Sequence, residues 1–166
     1  ALMLFMVPFV CLMIFIYSKG YMNFGTDDVD SRYSRFFAYI SLFACGMIGL
    51  VIADNFVTLL IFWEIMGLCS YLLIGFWYQD MANSVAGKKA FIVNRIGDLG
   101  LLVGIFLTFT HFGTVEYKEL FAEGGRVAHY VALMKAGHVD QIPFVVQLIP
   151  ALFMVGAFGK SAQLPL

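Results

Sequence analysis

Charge is scarce in this sequence. Of its 166 residues, 13% are charged and 61% are apolar, whereas a soluble domain has about a quarter charged and about half apolar residues. There are only four prolines and three cysteines, no Cys-x-x-Cys spacing, and no basic run beyond two adjacent lysines. These deficits exclude a collagen, a disordered tail, a secreted disulfide scaffold and a nucleic-acid-binding protein.

The apolar residues are concentrated in five long runs. Runs of 17 to 23 residues reach roughly 25 to 35 Å as helices, close to the ~30 Å hydrocarbon core of a bilayer. They lack the alternating polarity of membrane strands. The sequence therefore predicts an all-α, polytopic transmembrane bundle forming one membrane domain, 1–166, in which segment 113–142 is a loop with short surface helices. The membrane helices are expected at about 1–17, 36–53, 56–78, 90–112 and 143–160.

The connecting segments predict an orientation. Five basic residues lie in segments 18–35 and 79–89, against three in segment 113–142. Since successive helices alternate in direction, the first two segments share one side, which the excess of positive charge predicts to be cytoplasmic. The first run has no initiating Met, no basic flank and no cleavage site, so we interpret it as a membrane helix cut short rather than a signal peptide.

Glu64 is the first charged residue inside an apolar run. It is ninth in run 56–78, about 12 Å from the start of a helix. An ionised carboxylate at that depth is costly unless it meets a partner or a polar interior. Two interpretations are open here: a carboxyl group that locks two helices together, or a station for a proton or cation.

The fourth apolar run carries two opposite charges. Arg95 and Asp98 are three residues apart, which places them on one helix face, close enough to pair. They form either a self-contained structural pair near the cytoplasmic end or, together with Asn94, a polar patch that faces inward. Gly100 and Gly104 would allow close helix contact, although glycines at this spacing are frequent in membrane helices by chance.

The last apolar run ends in a lysine. Lys160 follows residues 143–159 directly, and Pro165 comes five residues later. Proline removes a backbone donor and clashes with the preceding turn, so the helix should kink or break there. Broken membrane helices occur beside cavities or protein interiors, as in transporters. The alternative is that Lys160 reaches the interface where the helix stops.

Several motifs occur together in a fixed order. They are Ala-Asp-Asn at 53–55, Phe-Trp-Glu at 62–64, Gly-Leu-Cys-Ser-Tyr-Leu-Leu-Ile-Gly-Phe-Trp at 67–77, Lys-Ala-Phe at 89–91, Asn-Arg-Ile-Gly-Asp at 94–98 and Gly-Lys-Ser-Ala-Gln-Leu-Pro at 159–165. In this order they resemble the largest antiporter-like membrane subunits (chain 5, or L-type) of respiratory complex I, the proton-pumping NADH:quinone oxidoreductase. The resemblance extends from about residue 17 to the end and is least over segment 113–142.

The resemblance implies a fold and a set of roles. The family fold has two inverted five-helix repeats, each with a helix broken at midmembrane. This chain would supply one helix before the first repeat and four helices of that repeat. Glu64 and Lys160 resemble the coupled ion pair of the family, and Arg95 and Asp98 resemble its polar positions on the next helix. The implied function is proton translocation coupled to quinone reduction.

The resemblance also implies partners and leaves two alternative functions open. It predicts neither a metal nor a redox cofactor in this chain, with NADH, FMN, iron–sulfur clusters and quinone bound by partner subunits. Other membrane subunits of complex I and the lipid bilayer would be the partners, in an inner cell membrane or its organelle equivalent. This chain alone should not pump protons. The alternatives are a subunit of a multi-subunit cation/proton antiporter and a passive membrane scaffold.

Overall fold

The computed structural model describes residues 2–22 and 30–164. In this part of the chain, all regular structure is helical, apart from one isolated β-bridge between Asn55 and Glu116. A single 3₁₀ turn, Val139–Gln141, precedes the last helix. The α-helices are α1 (Leu2–Tyr21), α2 (Tyr33–Ile52), α3 (Phe56–Ile74), α4 (Met81–Phe112), α5 (Tyr117–Leu120), α6 (Arg126–Lys135) and α7 (Phe144–Ser161).

Five of these helices, α1 to α4 and α7, are long and apolar enough to cross a membrane. Their side chains are apolar on nearly every face, and α1 leaves Leu2, Phe5 and Ile16 well exposed. Apolar surface of this extent is stable only against lipid or other protein. The predicted all-helical, multi-pass membrane architecture is confirmed.

The fourth membrane helix begins at Met81, not near residue 90 as the apolar run indicates. The Asp80 carboxylate accepts a hydrogen bond from the Ala82 backbone N–H at 3.0 Å, which is the N-cap arrangement. At 32 residues, α4 is about 48 Å long, so it exceeds the ~30 Å hydrocarbon core. The lysines at 88 and 89 therefore lie on a helix rather than in a loop. The neighbouring helix ends also differ, because α1 extends to Tyr21 and α3 ends at Ile74.

The chain groups into two compact units. The first consists of Ala1–Ile52 and Ile61–Phe91, and the second of Ala53–Leu60 and Ile92–Leu166. In the first unit, α2 and α3 pack closely where Gly49 accommodates the Phe62 ring, because a Cβ at Gly49 would overlap that ring.

In the second unit, the segment after α4 is tied to the start of α3. The Phe56 N–H donates to the Val115 carbonyl at 3.1 Å, and the Tyr117 N–H donates to the Asp54 carbonyl at 3.0 Å. The Phe56 and Tyr117 rings meet edge to face at 4.9 Å. Burial and, after it, the nearby Asp54 carboxylate raise the pKa of Tyr117, because both disfavour the phenolate.

Candidate functional site

The ionic pair on α4 lies inside the second unit. Arg95 Nη1 is 3.9 Å from Asp98 Oδ2, and the side chains are 38% and 5% exposed, respectively. The i, i+3 spacing on one helix thus brings the two groups together. Burial of a carboxylate has a cost, which a neighbouring guanidinium helps to offset.

Helix α4 packs on α7 through glycines. A Cβ added at Gly97 would lie 3.1 Å from the Gly159 Cα and 3.2 Å from the Val155 carbonyl oxygen, and one at Gly156 would lie 2.9 Å from the Leu101 Cβ. The two backbones are therefore in direct contact, as small residues permit in membrane helix pairs.

This contact places two of the predicted residues at one helix crossing. Asp98 directly follows Gly97 on α4, and Lys160 directly follows Gly159 on α7. Gly100 and Gly104 are the glycines that the sequence predicts at a helix contact, and Gly97 is not among them. The signal was present, since three glycines at spacings of three and four residues share one helix face.

Helix α7 ends immediately after Lys160. Its last residue is Ser161, and Ala162 adopts the left-handed conformation, with φ 49° and ψ 41°. The Gln163 N–H then donates to the Phe158 carbonyl at 3.2 Å, which completes a Schellman-type termination.

The sequence predicts a break of this helix from Pro165, which lies outside the described residues. In the described part, the helix end coincides with the left-handed conformation of Ala162. A non-glycine residue in the left-handed region costs about 1–2 kcal/mol, so Ala162 holds local backbone strain two residues after Lys160. Strain of this kind clusters at functional sites.

Glu64 belongs to the first unit, whereas Arg95, Asp98 and Lys160 belong to the second. Glu64 is the ninth residue of α3 and is half-buried, and Lys160 is half-buried in the last turn of α7. A cation in that position interacts favourably with the carboxyl end of the helix. Across residues 2–22 and 30–164, no three His, Cys, Asp or Glu side chains are grouped as metal ligands would be.

Five helices that are long and apolar enough to cross a membrane, several of which carry ionisable side chains, define a multi-pass membrane protein with charged groups inside its spans. Comparison with known proteins gives the family. Residues 53–166 match the NADH:quinone oxidoreductase/Mrp antiporter transmembrane region, and residues 1–37 match the N-terminus of NADH-ubiquinone oxidoreductase (complex I) chain 5. The chain therefore belongs to the NADH:quinone oxidoreductase/Mrp antiporter membrane family, and the resemblance inferred from its motifs is confirmed.

Individual relatives agree with this assignment. The chain is 48% identical over 154 residues to NADH-quinone oxidoreductase subunit L of Mycobacterium tuberculosis, covering 93% of this chain and 21% of the relative. It is 43% identical over 166 residues to NAD(P)H-quinone oxidoreductase chain 5 of Synechocystis sp., covering 100% and 22%. It is 40% identical to the chloroplast subunit 5 of Chlorokybus atmophyticus, covering 100% and 24%. The chain thus spans about a fifth to a quarter of the length of these relatives.

Proposed function

We propose that this chain forms part of the proton path of an antiporter-like membrane subunit of NADH:quinone oxidoreductase, complex I. The observation that carries the proposal is the buried Asp98 carboxyl group beside Arg95, at a glycine-mediated helix crossing whose partner glycine, Gly159, directly precedes Lys160. Ionisable residues inside membrane helices are costly and mark ion or proton pathways. Membership of the family supports the same function.

In this proposal, Glu64 and Lys160 are the proton stations and act as a coupled pair. At an effective dielectric of ~20, a carboxylate and an ammonium attract each other by about 4 kcal/mol at 4 Å and about 2 kcal/mol at 8 Å. A modest change in such a separation therefore changes the free energy of protonation by about 2 kcal/mol, which is more than tenfold in proton affinity. Asp98 and Arg95 set the local potential at the α4–α7 crossing.

Three variants of the full-length protein test the stations: Glu64→Gln, Lys160→Met and the double variant. Each should lower proton translocation per electron in the assembled complex, because a station that cannot hold a charge cannot relay one. The double variant should be little worse than either single variant, since residues that act as a unit are non-additive. Lys135→Met on the surface helix α6 is the matched control and should behave as the parent protein does.

Assembly, electron transfer and proton uptake are measured together in reconstituted vesicles. If the assembled double variant pumps normally, the proton-station role is wrong. That result would favour the passive scaffold, in which a buried charge pair is dispensable for stability.

A second candidate is a subunit of a multi-subunit cation/proton antiporter. The matched family description, which includes Mrp antiporters beside the oxidoreductases, is the observation that favours it. Purification of the full-length protein with its native partners separates the two. Flavin and iron–sulfur absorbance in the purified assembly indicates complex I. An assembly that lacks this absorbance and contains other antiporter subunits indicates the second candidate.

The proposal extends to partners and orientation. In this proposal, partner subunits bind NADH, FMN, iron–sulfur clusters and quinone. This chain itself contacts other membrane subunits and lipid. The links between α1 and α2 and between α3 and α4 are assigned to the cytoplasmic side. Single cysteines at Ser31 and Met81 of a cysteine-free protein should react with an impermeant thiol reagent from the inside, and one at Glu123 from the outside. The opposite pattern overturns the orientation.

A further inference from the structure

A cavity of about 170 Å³ lies within the first unit, where α2 begins, α3 ends and α4 begins. In the described part of the chain, its lining includes no charged residue of the proposed proton path, and no motif in the sequence predicts it. Tyr71, Tyr39 and Ser84 are half-buried and Arg35 and Tyr78 are exposed, so the cavity is a cup open to its surroundings. Its polar lining consists of Arg35, Tyr39, Tyr71, Tyr78 and Ser84.

The chemistry of this lining is that of an anion site. It offers one guanidinium, three phenol hydroxyls and one serine hydroxyl, and no acidic residue lines it in the described part of the chain. Within residues 2–22 and 30–164, Arg35 forms no ion pair. The nearest acidic residue along α4, Asp80, uses its carboxylate to cap the helix at Ala82. A guanidinium with several hydroxyl donors matches the oxygens of a phosphate group.

The ends of three helices form the cavity. Arg35 is in the first turn of α2, and Ser84 is in the first turn of α4, so two helix amino ends contribute residues to the lining. The opposing carboxyl end of α3 is partly neutralised, because the Tyr71 carbonyl accepts from Gly75 N–H and the Leu73 carbonyl accepts from Phe76 N–H. The Asp30 and Asp80 carboxylates accept the Arg32 and Ala82 N–H groups at these amino ends, so the preference for an anion comes from the Arg35 guanidinium and the hydroxyl groups of the lining.

The walls of the cavity are held by close contacts. A Cβ at Gly87 would lie 3.4 Å from the Gly75 Cα, so α4 crosses the end of α3 in close contact. The Arg32 guanidinium lies over the Phe76 and Tyr78 rings, at 5.8 and 5.4 Å from the ring centroids, and its Nε is 3.8 Å from Asp30 Oδ1. Arg32 therefore holds the aromatic wall, and Arg35 is the cation that is available to a ligand.

Exposed aromatic rings lie beside the cavity. The apolar stretch of α3 ends beside it, and the exposed rings of Trp77 and Tyr78 follow directly, as in the aromatic belt of membrane proteins. We propose that this cavity binds a phosphate group, either the headgroup of an anionic phospholipid or free phosphate, through Arg35 and the hydroxyls of Tyr39, Tyr71 and Ser84. This inference is independent of the proton path.

The test uses the full-length protein in nanodiscs of a phosphate-free glycolipid. Binding of radiolabelled phosphatidylglycerol and, separately, of radiolabelled inorganic phosphate is measured for the parent, for Arg35→Gln and for Lys88→Gln. Arg35→Gln should weaken binding about tenfold or more, which is the loss of charge-assisted hydrogen bonds. Lys88→Gln removes an exposed cation from α4 that does not line the cavity, and should change affinity less than about threefold.

A second variant covers the case in which Arg35→Gln fails to fold. The double variant Tyr39→Phe with Ser84→Ala keeps the packing and the arginine but removes two hydroxyls, and should weaken binding several-fold. Binding of phosphatidylglycerol that millimolar inorganic phosphate does not displace identifies a lipid site, whereas displacement identifies a site for free phosphate. Equal affinity in the parent and in all folded variants, or no binding of either probe, overturns the proposal.

Discussion

The contact between α4 and α7 makes a sharp prediction about two glycines on the same helix. Gly97 and Gly104 are seven residues apart on α4 and both face α7. An alanine at Gly97 meets backbone, because its Cβ would lie 3.1 Å from the Gly159 Cα and 3.3 Å from the Gly156 carbonyl oxygen. The Cβ of an alanine at Gly104 would make an ordinary van der Waals contact, since its nearest neighbour would be the Leu152 Cβ at 3.4 Å.

The magnitude follows from two opposing terms. Alanine gains about 1 kcal/mol over glycine in a helix interior, and this gain applies at both positions. Overpacking costs about 1–3 kcal/mol, and it applies only at Gly97, where backbone atoms cannot rotate away. Gly97→Ala should therefore range from neutral to about 2 kcal/mol destabilising, whereas Gly104→Ala should stabilise by about 1 kcal/mol.

The assay compares the two variants in the full-length protein. The free energy of unfolding is measured by denaturant titration in mixed micelles, and proton uptake is measured in vesicles. Because Asp98 and Lys160 directly follow the two contacting glycines, Gly97→Ala should also lower proton uptake, and Gly104→Ala should leave it unchanged. Equal stability and equal uptake in the two variants would refute the view that this crossing positions the charged residues.

Three further predictions concern separate features. Asp98→Asn should reduce proton pumping, whereas normal pumping in the double variant with Arg95→Gln would show that the pair is only structural. Ala162→Gly should stabilise the protein to unfolding by about 1 kcal/mol by relieving the left-handed strain, and an unchanged free energy of unfolding would contradict that strain. The pKa of Asp30 lies below its ordinary value of 3.8, chiefly because the Trp77 indole N–H donates to its carboxylate. The stability from this contact is therefore complete above pH 3.8 and is lost only as pH falls through the lower folded pKa of Asp30. Tryptophan fluorescence measured against pH should change below pH 3.8. A change centred at or above pH 3.8, or one that persists in Trp77→Phe, would contradict this.

The sequence by itself determined the membrane character and the local ionic pair. The length of an apolar run decides whether a helix spans a bilayer, so five runs predicted five spans. Arg95 and Asp98 met because their spacing on one helix is fixed by the helical period. The start of α4 is also determined locally, by the Asp80 cap. The predicted start near residue 90 followed the beginning of the apolar run instead of this cap.

Only the tertiary structure decided which residues face one another across helices. The Gly97–Gly159 contact joins residues far apart in the chain, and no period along one helix specifies the rotation or register of its neighbour. The Arg35 cavity has the same origin, because the ends of three helices create it and none of its residues forms a motif in sequence. Ala162 illustrates the reason: alanine favours a helix locally, and only the surrounding structure can hold it in the left-handed conformation.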